Sequence, residues 1–153
     1  MEAVFAVFVG LLYANFLEWN IHKYILHGFG KKRSSIWSFH FHEHHKTVRK
    51  WEGGDPQYLN MFGSVPELRA LLLLTISHLP LLFFFPVFTG TLMLYSVVYY
   101  VLHRKSHLDP TWAKRWLPWH WDHHMHHQNH NWCVVFPLFD YILGTRKKPG
   151  AVQ

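Results

Sequence analysis

The chain has 153 residues, half of them hydrophobic and 18% aromatic, which is room for one domain with a modest core. Its one cysteine, Cys133, excludes an intrachain disulfide and a cysteine-ligated zinc site. Fifteen Lys and Arg against nine Asp and Glu give a net charge of +6, yet every basic residue lies between or beyond apolar blocks, so the charge reads as a membrane topology signal and no nucleic-acid partner is expected.

The first apolar block is "AVFAVFVGLLYANFL", Ala3 to Leu17. It lacks the basic start and small-residue cleavage site of a signal peptide and runs straight into "EWNIHKYILHG". One helix over about residues 3–27 is predicted, partly in the bilayer, stopped by Gly28, Gly30 and the "KKR" run. It carries His22 and His27, which are about 140° apart on an α-helix and so serve two ions or bracket one side of a site. Glu18, four residues before His22, shares its face. Next comes "HFHEHH", with His40, His42, His44 and His45; His40 and His44 stand at i, i+4 and can pinch one ion.

The second block runs from Ala70 to His103, without any Lys, Arg, Asp or Glu. As one helix it would be about 50 Å long, well beyond a hydrocarbon core of about 30 Å. Pro80, Pro86 and the Thr89-Gly90 pair offer breaks, so a helical hairpin is predicted. Each arm has roughly 16 apolar residues, short of a full span unless polar ends lengthen it. His78, inside the block, is expected to be hydrogen-bonded between helices or to face a cavity. "HRKSH" follows, with His103 and His107 at i, i+4.

The stretch "WHWDHHMHHQNHNW" then places six histidines between His120 and His130, with His120 and His124 at i, i+4. An apolar block followed by two histidine clusters occurs twice, which suggests a four-helix-like unit made of two halves. The expected fold is an all-α, integral-membrane helical bundle with a histidine-rich cap, a single domain over residues 1–153. Three crossings would put every basic run on one face, with the N-terminus outside and the histidine clusters cytoplasmic.

Apart from His78, all the histidines fall into these four clusters. Imidazole suits Zn, Cu, Fe and Ni, and one catalytic ion needs only about three protein ligands, so ten or more histidines call for at least two metals. Acids are few near the clusters: Glu18, Glu43, Asp109, Asp122 and Asp140. A nearly all-imidazole centre is expected, with acids orienting ring N–H groups. A non-redox metal-binding membrane protein and a haem carrier with paired histidines are the competing classes. The haem carrier would use isolated histidines on facing helices rather than His-His doublets.

The clusters and the ending "NWCVVFPLFDYILGT" closely resemble the fatty acid hydroxylase/sterol desaturase superfamily of membrane di-iron oxygenases, over His22 to Thr145. "HKYILHG" is also similar to the first box of bacterial carotenoid ring hydroxylases. The resemblance implies ten metal ligands: His22 and His27; His40, His44 and His45; His103 and His107; His120, His123 and His124. The last set has an alternative register, His123/His126/His127. The family's separation between the His-His pair and the Asn-aromatic step, here Asn131-Trp132, favours the first. His42, Asp122, His126, His127 and His130 are then rim residues with Glu18, and Asn131 and Asp140 are anchors of the ending. Also implied are two iron ions (zinc can substitute in purified samples), O2 as co-substrate and oxidation of a lipid C–H bond by hydroxylation or desaturation. The two electrons would come from a separate donor of ferredoxin or cytochrome type, since no "HPGG" haem motif is seen. Phe83-Phe84-Phe85 and Tyr99-Tyr100 are expected to present the lipid chain to the metals.

Overall fold

A computed structural model describes residues 1–148, and among them every regular element is helical. The long elements are α1 (Glu2–Asn20), α3 (Val65–His78) and α4 (Pro86–Leu108). Short ones, α2 (His45–Lys50), α5 (Pro110–Trp116), α6 (Pro118–Met125) and α7 (Leu138–Ile142), build a cap. Three stretches are long and apolar enough to cross a membrane: Glu2–Lys31, Val65–Phe83 and Pro86–Leu108. Each is less than a quarter buried within the protein itself, as lipid-facing helices are. The unit therefore has three long helices rather than four.

The first helix does not end where its apolar block does. α1 passes without a break into a π-helical turn, Ile21–Leu26, and a 3₁₀ turn, Phe29–Lys31. The hairpin breaks at its prolines: α3 tightens into a 3₁₀ turn at Leu79–Phe83, and α4 starts at Pro86, where a missing N–H costs nothing. Thr89-Gly90 does not interrupt α4, because the Thr89 hydroxyl donates to Phe85 O within the helix. The arms reach spanning length by recruiting flanking polar turns, Val65–Arg69 and Arg104–Leu108.

α1 and α4 run in the same direction and touch closely. A Cβ on Gly10 would come within 3.0 Å of the Thr91 side chain. Gly10 and Ala14, four apart, form the small-residue face that permits the approach without a water-driven hydrophobic term. Asn15 fastens the pair, donating to Tyr95 Oη and Phe136 O at 2.8 Å each. α3 runs the opposite way, and a Tyr13–His78 contact is the side-chain hydrogen bond that ties it to α1 among the described residues. The C-terminal ends of α1 and α4 and the N-terminal end of α3 thus meet at one face, where the cap sits.

Candidate metal centre

Ten buried histidines meet at that face, in two groups. His22, His27, His40, His45 and His123 form one; His44, His103, His107 and His124 form the other. His120 stands beside the second, its Nε2 3.2 Å from that of His107.

The sorting depends on backbone hydrogen bonding. The His27 N–H reaches back five residues to His22 O at 3.0 Å, closing a π-turn that stacks residues five apart. His22 and His27 therefore share a face, which corrects the 140° separation expected on an α-helix. The second cluster repeats the device over Phe39–His44, with the His45 N–H reaching His40 O. His40 consequently pairs with His45, and His44 turns to the other group; the expected His40/His44 pinch does not form. On α4, an ordinary α-helix, His103 and His107 do share a group. On α6, adjacent His123 and His124 diverge by about 100° and feed one group each.

Five of the rings are held by their outer nitrogens. Nδ1 of His22 donates to Trp132 O (2.5 Å), that of His123 to His130 O (2.6 Å) and that of His107 to Gly53 O (2.9 Å). His44 Nδ1 meets Asp55 Oδ2 at 2.9 Å, and His103 Nδ1 meets Glu67 Oε1 at 2.5 Å. These oxygens accept only, so each ring keeps its hydrogen on Nδ1 and aims a bare Nε2 lone pair inward. His103 and His107 face each other with two such lone pairs at 3.2 Å, an arrangement that only a shared cation or proton makes favourable. Nε2 of His44 and of His124 is buried with no hydrogen-bond partner. In the other group Nε2 atoms lie 2.9 Å apart for His22/His40 and His27/His45, and 3.1 Å for His123/His45. Two nitrogens bound to one ion at about 2.1 Å, a right angle apart, would stand about 3.0 Å from each other. The residues present fit metal ions.

Burial comes first and the neighbouring rings second in holding His40, His45, His120 and His124 well below the usual imidazole range; His123 is also held low, chiefly by burial. His44 is lowered by burial too, with Asp55 partly opposing. Those six rings are thus biased toward the neutral form, the one that ligates.

The other sequence candidates lie around this core. Glu18 makes no hydrogen bond to His22; Oε1 accepts the N–H groups of Val134 (2.5 Å) and Val135 (3.1 Å), and Oε2 accepts the Tyr95 hydroxyl (2.5 Å). His42 turns outward to Lys31 O. His126 is exposed, and the His127 and His130 rings are half-buried outside both groups; His130 takes part through its carbonyl. Asp122 pairs with Arg146 at 3.4 Å, Asp109 with Lys105, and Glu43 is exposed. Asp140, fully buried, accepts from the N–H groups of Trp132 and Cys133 and from the Thr145 hydroxyl. Asn131, at φ 59°, takes the left-handed conformation that Asn tolerates and clasps Lys147 N and O. Together they fix Trp132 O against His22.

Sequence reasoning missed Asp55, Glu67 and Tyr58. Tyr58 is buried, donates to Glu67 Oε2 at 2.6 Å and stacks on His107. The available signal was Glu67 itself, an acid opening an apolar block.

A cavity of about 390 Å³ runs from this centre down between α1, α3 and α4. His22, His40, His44 and His103 wall its upper end, Leu71, Leu74 and Leu92 its middle, and His78 its lower part. Tyr99 stacks on His103 and lines it, whereas Phe83, Phe84 and Phe85 point outward, 59–93% exposed, and do not reach it. The cavity wall is built instead from α1, α3 and the Leu92–Tyr99 part of α4.

Comparison with curated proteins and with solved structures returns no significant match. The fatty acid hydroxylase family profile matches residues 7–145, the whole span from α1 through the histidine groups to the Thr145 anchor, and the chain belongs to that family.

Proposed function

We propose that this protein is a membrane-bound di-iron oxygenase that hydroxylates a C–H bond of a lipid with O2 and two electrons from outside. The observation that carries the reading is the placement of two all-imidazole groups at one end of an apolar cavity between three bilayer-length helices. His22, His27, His40, His45 and His123 would hold one iron, and His44, His103, His107, His124 and His120 the other. Iron bound there would supply O2 activation and hydrogen abstraction. The chain's own part is positional. Asp55, Glu67 and three carbonyls keep Nδ1 of His44, His103, His22, His107 and His123 protonated and the Nε2 of those rings aimed. The Leu-rich cavity excludes water and brings an acyl or isoprenoid chain to the wall formed by His22, His40, His44 and His103.

Basic residues exposed around the cap, such as Lys32, Arg33, Lys46, Lys50, Lys114 and Arg115, support a cytoplasmic placement and suit an acidic ferredoxin or cytochrome as donor. Desaturation uses the same components and is the second reading.

The test is purification in detergent, metal analysis, and incubation with lipid extract, a reduced donor and ¹⁸O₂. Two metals per chain and a labelled hydroxyl are expected; a new double bond without label would mean desaturation. One metal or none would overturn the two-site reading. Two metals with no oxidised lipid would favour a non-redox role. Zinc in the purified sample would be compatible with iron in the cell.

A further inference from the structure

His78 is the one ionisable side chain between Arg69 and Tyr95, and it lines the far part of the cavity. An ionisable group among membrane-facing apolar residues calls for a polar partner or a function. Its Nδ1 is 2.8 Å from Leu74 O, an atom that only accepts, so the hydrogen is on Nδ1. Nε2 is therefore a lone pair. The Tyr13 hydroxyl donates to it across 3.2 Å, longer than the usual O–H bond length, and from a residue 37% exposed. Ser77 and Thr75 add hydroxyls to the same stretch of wall. At the other end of the cavity stand His22 and Glu67. Nine residues separate Tyr13 from His22 and eleven separate Glu67 from His78, so the two polar ends lie about 14–17 Å apart at 1.5 Å per helical residue.

Resting on the oxygenase reading, we infer that the substrate is a single-chain lipid already carrying a hydroxyl, which His78 Nε2 accepts in place of Tyr13, and that the carbon oxidised lies about twelve bonds away. The cavity is at the small end of ligand sites, which run about 300–1,000 Å³, and so takes one chain rather than a two-chain lipid. An extended chain advances about 1.2 Å per bond, a third of the 3.3–3.6 Å spanned per peptide residue, so about twelve bonds cover the distance. The ligand group must be a donor: a hydroxyl satisfies Nε2, whereas an ester, ether or ketone presents a second acceptor to it. The Tyr13 contact ties α1 to α3, so a hydroxyl that replaces it also releases that tie.

The test is native mass spectrometry of the detergent-purified protein with 1-dodecanol, dodecyl methyl ether and dodecane at equal concentration. One bound alcohol per chain is expected, roughly tenfold tighter than the ether or the alkane, the worth of one hydrogen bond in an apolar site. His78→Leu should abolish the preference. Tyr13→Phe should keep or strengthen it, because the competing hydroxyl is gone. A purely structural latch predicts no preference in any of the three proteins, and that result would overturn the inference. So would a preference that survives His78→Leu. Loss of alcohol selectivity with lipid oxidation intact would sink this inference alone; selective binding with no oxidation under a competent donor would sink the oxygenase reading alone.

Discussion

A histidine ring is useful to a metal only if one nitrogen is held and the other is free, and here the holding atoms come from far along the chain. Asp55 serves His44 from eleven residues away, and Glu67 serves His103 from thirty-six. Asp55 also accepts the Gln57 N–H, so a folded turn fixes the carboxylate before it meets the ring. Asp55→Ala should lower metal affinity in the group of His44, His103, His107 and His124 by about 10–100-fold and leave the other group loaded. Metal titration of the purified variant, read as two separate binding steps, checks this; equal weakening of both steps would mean that Asp55 supports the cap as a whole. Cys133 is fully buried, its thiol pushed up by burial, and should stay inert to thiol reagents in the folded protein.

At the scale of the element, a π-turn is an α-helix with one residue added. His22 and His27 five apart on such a turn are equivalent to a pair four apart on an ordinary helix. Deleting exposed Tyr24 should therefore let the turn relax to α and keep both rings on the shared face, with metal content near two per chain. Inserting an alanine after Tyr24 should swing His27 about 100° away and cost the first group its metal. Metal stoichiometry of the two variants makes the comparison; loss in the deletion and retention in the insertion would contradict the geometry. This is also where the sequence was least legible. The four clusters, the i, i+4 pair on α4 and the breaks at Pro80 and Pro86 could be read directly, because they rest on residue identity and helical period. Nothing in the composition of "HKYILH" or "HFHEHH" announces an i→i+5 hydrogen bond, so the sorting of histidines between groups could not be read. The Asp55 and Glu67 contacts were hidden for another reason: they are long-range, and proximity in sequence was the only guide to the acids.

For the whole molecule, neutral rings packed together make the cap sensitive to acid. The unfolded chain binds protons near the ordinary histidine value of about 6.5, whereas the buried rings of His40, His45, His120, His123 and His124 resist protonation. Below about pH 6.5 the unfolded state thus binds more protons than the folded one, and stability falls as pH falls, by up to about 1.4 kcal/mol per pH unit for each such ring. Above about pH 7.5 it should be flat. The metal-free protein should accordingly lose thermal stability steeply from pH 7 to 5, and bound metal should hold it up until protons displace the ion. Melting curves with and without chelator at several pH values check this; a flat metal-free profile would show that the rings are accessible to water.

The order of synthesis gives the closing of the first group another meaning. His123 lies 3.2 Å from His27 across ninety-six residues and 3.1 Å from His45 across seventy-eight. Trp132, which steadies His22, comes later still. A ribosome therefore releases the early histidines long before the last ligands exist, with all three apolar helices already made. Neither group is complete on the nascent chain until His123 and His124 emerge, so a metal held by a full ligand set would be bound only after all three apolar helices had been made. Loading would then be a late checkpoint on a finished fold.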